Sequence, residues 1–63
     1  MLRRSSGALD EALAALPERQ RQALLLREWR QLSYAEIAEE LGVPPAAVGP
    51  LLYRARRALA RRL

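Results

Sequence analysis

The chain contains no cysteine, no histidine and no lysine, and long apolar runs are also missing from its 63 residues. Without cysteine there is no disulfide framework, and without cysteine and histidine the usual transition-metal ligand sets are absent. No apolar run approaches the roughly 18 residues of a membrane span, and no signal-peptide pattern opens the chain. The expected setting is therefore the cytoplasm, with no membrane partner. β-branched residues are reduced to Ile37, Val43 and Val48, which leaves little to favour strands. Nothing in the sequence assembles a nucleophile, a base and an oxyanion site. An enzyme is not expected, nor a cofactor or a small-molecule substrate.

What is present is alanine, leucine and arginine. Half of the residues are apolar, mostly Ala and Leu, a mixture that favours helices. The length allows one domain, whose core must be compact because so small a fold buries only about 60% of its unfolded surface. The net charge is +4 and every basic residue is an arginine, eleven in all. Five of them lie between Arg54 and Leu63 with no acid among them, while residues 8–42 hold all seven acids against four arginines. A basic end on a nearly neutral body points to a polyanion such as nucleic acid. The same arginines would also oppose the macrodipole at a helix C-terminus.

Along the chain the pattern predicts four helices, short loops and no internal repeat. Residues 1–7 carry no apolar period and read as a flexible lead-in to a domain over 8–63. Ser5 or Ser6 is a candidate N-cap for a short helix with Leu9, Leu13 and Leu16 as its stripe. Pro17 disfavours helix in the residue before it and suits the first position of the next one. That second helix places Ala23, Leu25, Leu26 and Trp29 on an inward face and is expected to stop near Arg30 or Gln31. Trp29, among leucines at helical spacing, reads as core or core edge rather than as a base-stacking platform.

"SYAEIAEELG" is the clearest local signal. Ser33 and Glu36 fit the S-x-x-E capping box, Ile37, Ala38 and Leu41 form a buried stripe, and Gly42 supplies a left-handed stop. A two-turn helix closed this way, followed by another helix, is a helix-turn-helix. The last element, "LLYRARRALARRL", carries Leu52, Ala55 and Leu59 inward and arginines elsewhere. The fold class is thus all-α, a small four-helix domain with a C-terminal helix-turn-helix. Its expected core is Leu13, Leu16, Leu26, Leu32, Ile37, Ala38, Leu41, Val48, Leu52 and Ala55.

Taken together, "LPERQR", "LSYAEIAEELGV" and "RARRAL" at these distances resemble region 4 of bacterial sigma-70 family RNA polymerase sigma factors. The extracytoplasmic-function group is the nearest match, and the likeness runs from about Leu9 to Leu59. LuxR-type regulators share the "S-x-x-E-I-A-x-x-L" helix, but the "RARRAL" ending fits them poorly. The resemblance implies a non-enzymatic domain that binds double-stranded promoter DNA at the −35 element, its last helix in the major groove. It also implies docking on the flap of the RNA polymerase β subunit, with an anti-sigma protein as a further partner. Ser33 and Tyr34 match phosphate-holding positions at the start of the supporting helix, and Arg54, Arg56 and Arg57 match the basic run. Ala46, Ala47 and Tyr53 complete the DNA-facing set by position.

Between these residues the chain departs from the family. A pattern like S-x-G-T-V-K-S-R-L becomes Pro44, Pro45, Ala46, Ala47, Val48, Gly49, Pro50, Leu51, Leu52. Val48 and Leu52 keep the core positions, whereas Ala47, Gly49, Pro50 and Leu51 replace groups able to hydrogen-bond bases or phosphates. Bases are distinguished by such groups, and each missing bidentate pair forfeits about 1–3 kcal/mol of discrimination. The arginines still reach phosphates, which carry no sequence. Pro50 in a helix starting at Pro45 would clash with the Ala46 carbonyl, so the helix either kinks or begins near Val48 or Gly49. An alternative use of the same fold is a protein-interaction module in which Ala46, Ala47, Pro50 and Leu51 form an apolar patch. Its partner would be polymerase, an anti-sigma protein or a second copy.

Overall fold

A computed structural model describes the backbone of residues 3–63 and the side chains of residues 7–63. Four α-helices follow one another: α1 (Arg3–Ala14), α2 (Glu18–Glu28), α3 (Tyr34–Leu41) and α4 (Val48–Arg62). A single 3-10 turn over Pro45–Ala47 runs directly into α4. Helix α4 is the hub, packing against α1, α2, α3 and the 3-10 turn.

The first helix starts earlier than its capping serines suggested. Its backbone is helical from Arg3, so Ser5 and Ser6 lie inside α1 rather than before it. Part of the stretch expected as a lead-in is therefore helical, and Met1 and Leu2 lie outside the described residues. Once a helix is nucleated, extending it by a turn costs little, and Gly7 weakens it by only about 1 kcal/mol. Helix α1 ends at Ala14, two residues before the expected stop, and Leu16 N–H closes a tight turn on the Leu13 carbonyl at 3.1 Å. Pro17 is the N-cap of α2 rather than its first residue, its carbonyl accepting from Arg21 N–H at 3.0 Å.

The end of α2 differs from the sequence reading for a backbone reason. Regular helix stops at Glu28, and Gln31 adopts a left-handed conformation at φ 54°. The Leu32 N–H then reaches back to the Leu26 carbonyl at 3.1 Å, a closure one residue wider than that of a Schellman motif. Glycine normally takes the left-handed place because a Cβ is strained there. Arg27 secures the turn from the side, its Nη1 donating to the Leu32 carbonyl at 2.9 Å.

Helix α3 follows its local signals closely. The Ser33 hydroxyl accepts from Glu36 N–H at 3.1 Å while the Glu36 carboxylate accepts from Ser33 N–H at 2.8 Å. Gly42, at φ 69°, ends the helix and donates to the Ala38 carbonyl at 2.9 Å. Removing the Ser33 hydroxyl leaves the Glu36 N–H without its acceptor. Ser33→Ala should therefore cost about 1 kcal/mol in a thermal or urea melt. A melt identical to that of the parent chain would show the box to be energetically idle.

Pro50 is accommodated by the second of the two expected solutions. Helix α4 begins at Val48, which puts Pro50 in its first turn, where a missing N–H costs no intrahelical bond. The preceding turn tightens to i→i+3 pairing, with Ala47 N–H on the Pro44 carbonyl at 2.9 Å.

One apolar cluster holds the elements together: Leu16, Ala23, Leu24, Ile37, Ala38, Val48, Leu52 and Ala55, with Leu13, Leu26, Leu32 and Leu41 partly buried against it. Among the described residues no polar or charged side chain is buried. All ten expected core residues thus lie in or against the cluster. The inward face of α2 is corrected, because it is Leu24 with Ala23 that is buried, while Leu25 is only half-buried. Trp29 is corrected more sharply. It is 60% exposed, because the buried face of α2 is centred on Ala23 and Leu24, and at 100° per residue Trp29 falls on the opposite side of the helix.

Candidate nucleic-acid interface

The outward face of α4 follows from its inner one. Val48, Leu52 and Ala55 are fully buried and Leu59 is partly buried, a stripe at helical spacing. At 100° per residue the opposite side of the cylinder carries Pro50, Tyr53, Arg54, Arg57 and Arg61. All five are exposed, Tyr53 by 60%. The basic run read from sequence is therefore a ridge along the solvent side of a helix about 22 Å long.

The three arginines of the run have different duties. Arg57 lies over the Tyr53 ring at 5.7 Å, and its Nη1 donates to the Tyr53 hydroxyl at 3.3 Å. This contact holds one guanidinium edge while leaving most of its donors outward. Arg54 makes no hydrogen bond or ion pair among the described residues and is free to meet a phosphate. Arg56 is turned toward α2, where its Nη2 meets the Glu28 carboxylate at 2.7 Å. That pair is half-exposed on both sides, so it contributes little to stability. Glu28→Gln should lower stability by less than about 1 kcal/mol, while releasing Arg56 to act as an extra cation toward DNA. A melt and a titration with duplex measure the two effects separately; a loss of several kcal/mol would contradict the exposed-pair assignment.

The start of α3 supplies the second edge of the site. Tyr34, 44% exposed, has the Arg27 guanidinium over its ring at 5.4 Å. Its Cε2 would lie 3.8 Å from a Cβ at Gly49, so the ring stands beside the first turn of α4. Ser33 caps the same helix end with its hydroxyl hydrogen still free to donate. The helix-turn-helix thus sets Tyr34, with Ser33 next to it in the chain, beside the beginning of α4. Arg27 was not anticipated: it belongs to α2, and only the left-handed turn at Gln31 folds it onto Tyr34.

The region between these arms decides whether the expected apolar patch exists. Ala46 and Pro50 are exposed, Ala47 and Gly49 are half-buried, and Leu51 packs against the core cluster. Leu51 lies about 100° around the helix from Pro50, so the four apolar residues do not form one continuous surface.

Two helices joined by a glycine-stopped turn, the second bearing an exposed basic ridge, define a helix-turn-helix domain. Residues 6–59 match the family model described as sigma-70, region 4. The chain belongs to that family. It is also 40% identical over 58 residues to RNA polymerase sigma factor YlaC of Bacillus subtilis (strain 168). That match covers 92% of the chain but 34% of the relative, so the chain spans about a third of that protein's length. No described helix is long and apolar enough to cross a membrane.

Proposed function

We propose that the domain acts in transcription initiation by binding double-stranded promoter DNA at the −35 element, with α4 seated in the major groove. The single observation that carries this reading is the exposed ridge of Arg54, Arg57 and Arg61 on the face of α4 opposite its buried stripe. The major groove, about 12 Å wide, admits one α-helix, and its walls are phosphate. Ser33 and Tyr34, at the start of α3, would hold the backbone of one strand, with Ala46, Ala47 and Tyr53 toward the bases. Arg54 and Arg57 would bridge phosphates, with Arg56 joining them when its pairing to Glu28 opens.

RNA polymerase is the protein partner that region 4 membership supports, with the β-subunit flap as the docking element and an anti-sigma protein as a regulator. Membership of sigma-70 region 4 and the likeness to a sigma factor support a non-enzymatic role in the cytoplasm. The rival use of Ala46, Ala47, Pro50 and Leu51 as a protein-docking patch is weakened by the inward packing of Leu51. Titrating the chain with duplex DNA across a salt series tests the reading. Three arginines on phosphates (Arg54, Arg57 and Arg61) should give a log–log slope of about −3. A flat salt dependence, or binding to isolated β-flap with none to duplex, would overturn it.

A further inference from the structure

The groove-facing end of α4 is almost bare of hydrogen-bonding groups. Gly49 and Pro50 offer no polar side-chain atom, Leu51 and Leu52 face the core, and Ala46 and Ala47 present methyls. The Tyr53 hydroxyl accepts from Arg57 at 3.3 Å and keeps its own hydrogen, but the rest of that side chain is an apolar ring. Yet Ala46, Pro50 and Tyr53 are exposed, and Pro50 and Tyr53 lie on the same side of the helix as Arg54 and Arg57. Any duplex gripped by those arginines meets an apolar surface at the base edges.

Only one feature of the major groove rewards such a surface, the C5-methyl group of thymine. We propose that this domain selects its site by thymine methyl groups, with Ala46, Pro50 and Tyr53 as the apolar contacts. The proposal rests on the DNA-binding reading above and assigns its specificity. Three properties of the residues support it. Alanine and proline lose no side-chain entropy on burial, so even a small apolar contact is net favourable. The Tyr53 ring is steadied by the Arg57 guanidinium at 5.7 Å. Pro50 and Tyr53 are separated by about 4.5 Å along the helix axis on one side of it, so they cover adjacent but distinct spots of the surface they meet.

The selected sites should therefore be rich in thymine rather than in the guanines that arginine or lysine reads. Discrimination should be moderate, about fourfold for each methyl buried, the value of one apolar carbon removed from water. This differs from a site that is wholly indifferent to sequence, and from one that is specified by hydrogen bonds.

Deoxyuridine isolates the effect, since it keeps pairing, phosphate charge and every hydrogen-bonding edge of thymine and lacks only the methyl. Duplexes enriched by the chain from a random-sequence pool would be rebuilt with deoxyuridine at each thymine in turn. Binding would then be measured at fixed low salt. Thymines under α4 should each lose about fourfold in affinity on replacement. The double variant Pro50→Ser, Tyr53→Ser should bring the thymine-to-deoxyuridine ratio close to one at the positions those two residues cover, leaving only the thymine under Ala46 sensitive, with melting curves confirming that it folds. Equal affinity for thymine and deoxyuridine duplexes would overturn the methyl proposal and leave DNA binding intact. Absence of binding to any duplex would overturn the DNA reading and the proposal with it. Loss of β-flap binding in the double variant, with no deoxyuridine effect, would assign the same apolar residues to a protein instead.

Discussion

Ile37→Ala is expected to remove most of the stability of this domain. Ile37 is 0% exposed and sits in the cluster that joins α2, α3 and α4. Truncating it removes most of its side chain at a site whose neighbours in the cluster, Val48, Leu52 and Ala55, are themselves fully buried and cannot readily close the gap. Such truncations cost roughly 2–5 kcal/mol. A domain of this length holds only about 3–9 kcal/mol in total at the usual rate of roughly 0.05–0.15 kcal/mol per residue. A urea or thermal melt should show the midpoint falling steeply, or the cooperative transition disappearing. Glu39→Ala, exposed on the same helix, should stay within about 0.5 kcal/mol of the parent. An Ile37→Ala melt superimposable on that control would place Ile37 outside the cooperative core.

The second large effect concerns DNA. Replacing Arg54 and Arg57 together by alanine should weaken every duplex about a hundredfold at low salt, since two charge-assisted bonds to phosphate of about 1.5 kcal/mol each are removed. The salt slope should become shallower by about two units, one for each phosphate no longer neutralised. Both residues are exposed on the solvent side of α4, away from Val48, Leu52 and Ala55, so the fold should persist. Tyr53 would be without its guanidinium neighbour, but its ring already stands in solvent. The weakening should be nearly uniform across sequences, because phosphates report position rather than base identity. A variant with parental affinity would mean that α4 is not the face that meets DNA.

The exposed arginines also clarify how a domain of this family can lack the polar residues of its pattern at Ala47, Gly49, Pro50 and Leu51. On the proposed reading, grip and selection would fall to different stretches of one helix, with cations along its middle and end and apolar contacts at its start. Placing Pro50 in the first turn of α4 permits this without breaking the helix. The helix end is uncharged, and on that reading the arginines beyond it would deliver it to the groove.

The features decided by sequence alone are those governed by a few neighbouring residues. The Ser33–Glu36 box and the left-handed Gly42 both concern backbone hydrogen bonds within one turn. Their energetics are local, so the order of the residues is sufficient to specify them, whereas the choice between a kink at Pro50 and a later start of α4 falls to the structure. The buried stripe of α4 was legible for a similar reason, since Val48, Leu52 and Ala55 repeat at helical spacing. Tertiary structure decided the rest. Leu24, Leu25 and Leu26 are three identical side chains in a row, which gives the pattern no phase, and only packing against the neighbouring helices buried Leu24. Trp29 reads as part of the inner face of α2 in sequence, yet packing buried Ala23 and Leu24, and at 100° per residue that phase turns the indole to the solvent side. Arg54, Arg56 and Arg57 are alike as residues, but of the three it is Arg56 that faces Glu28, 28 positions away in the chain. Which arginine is committed and which is free depends on how distant helices are oriented. That orientation is set by burying apolar area between them, a quantity that no single segment contains.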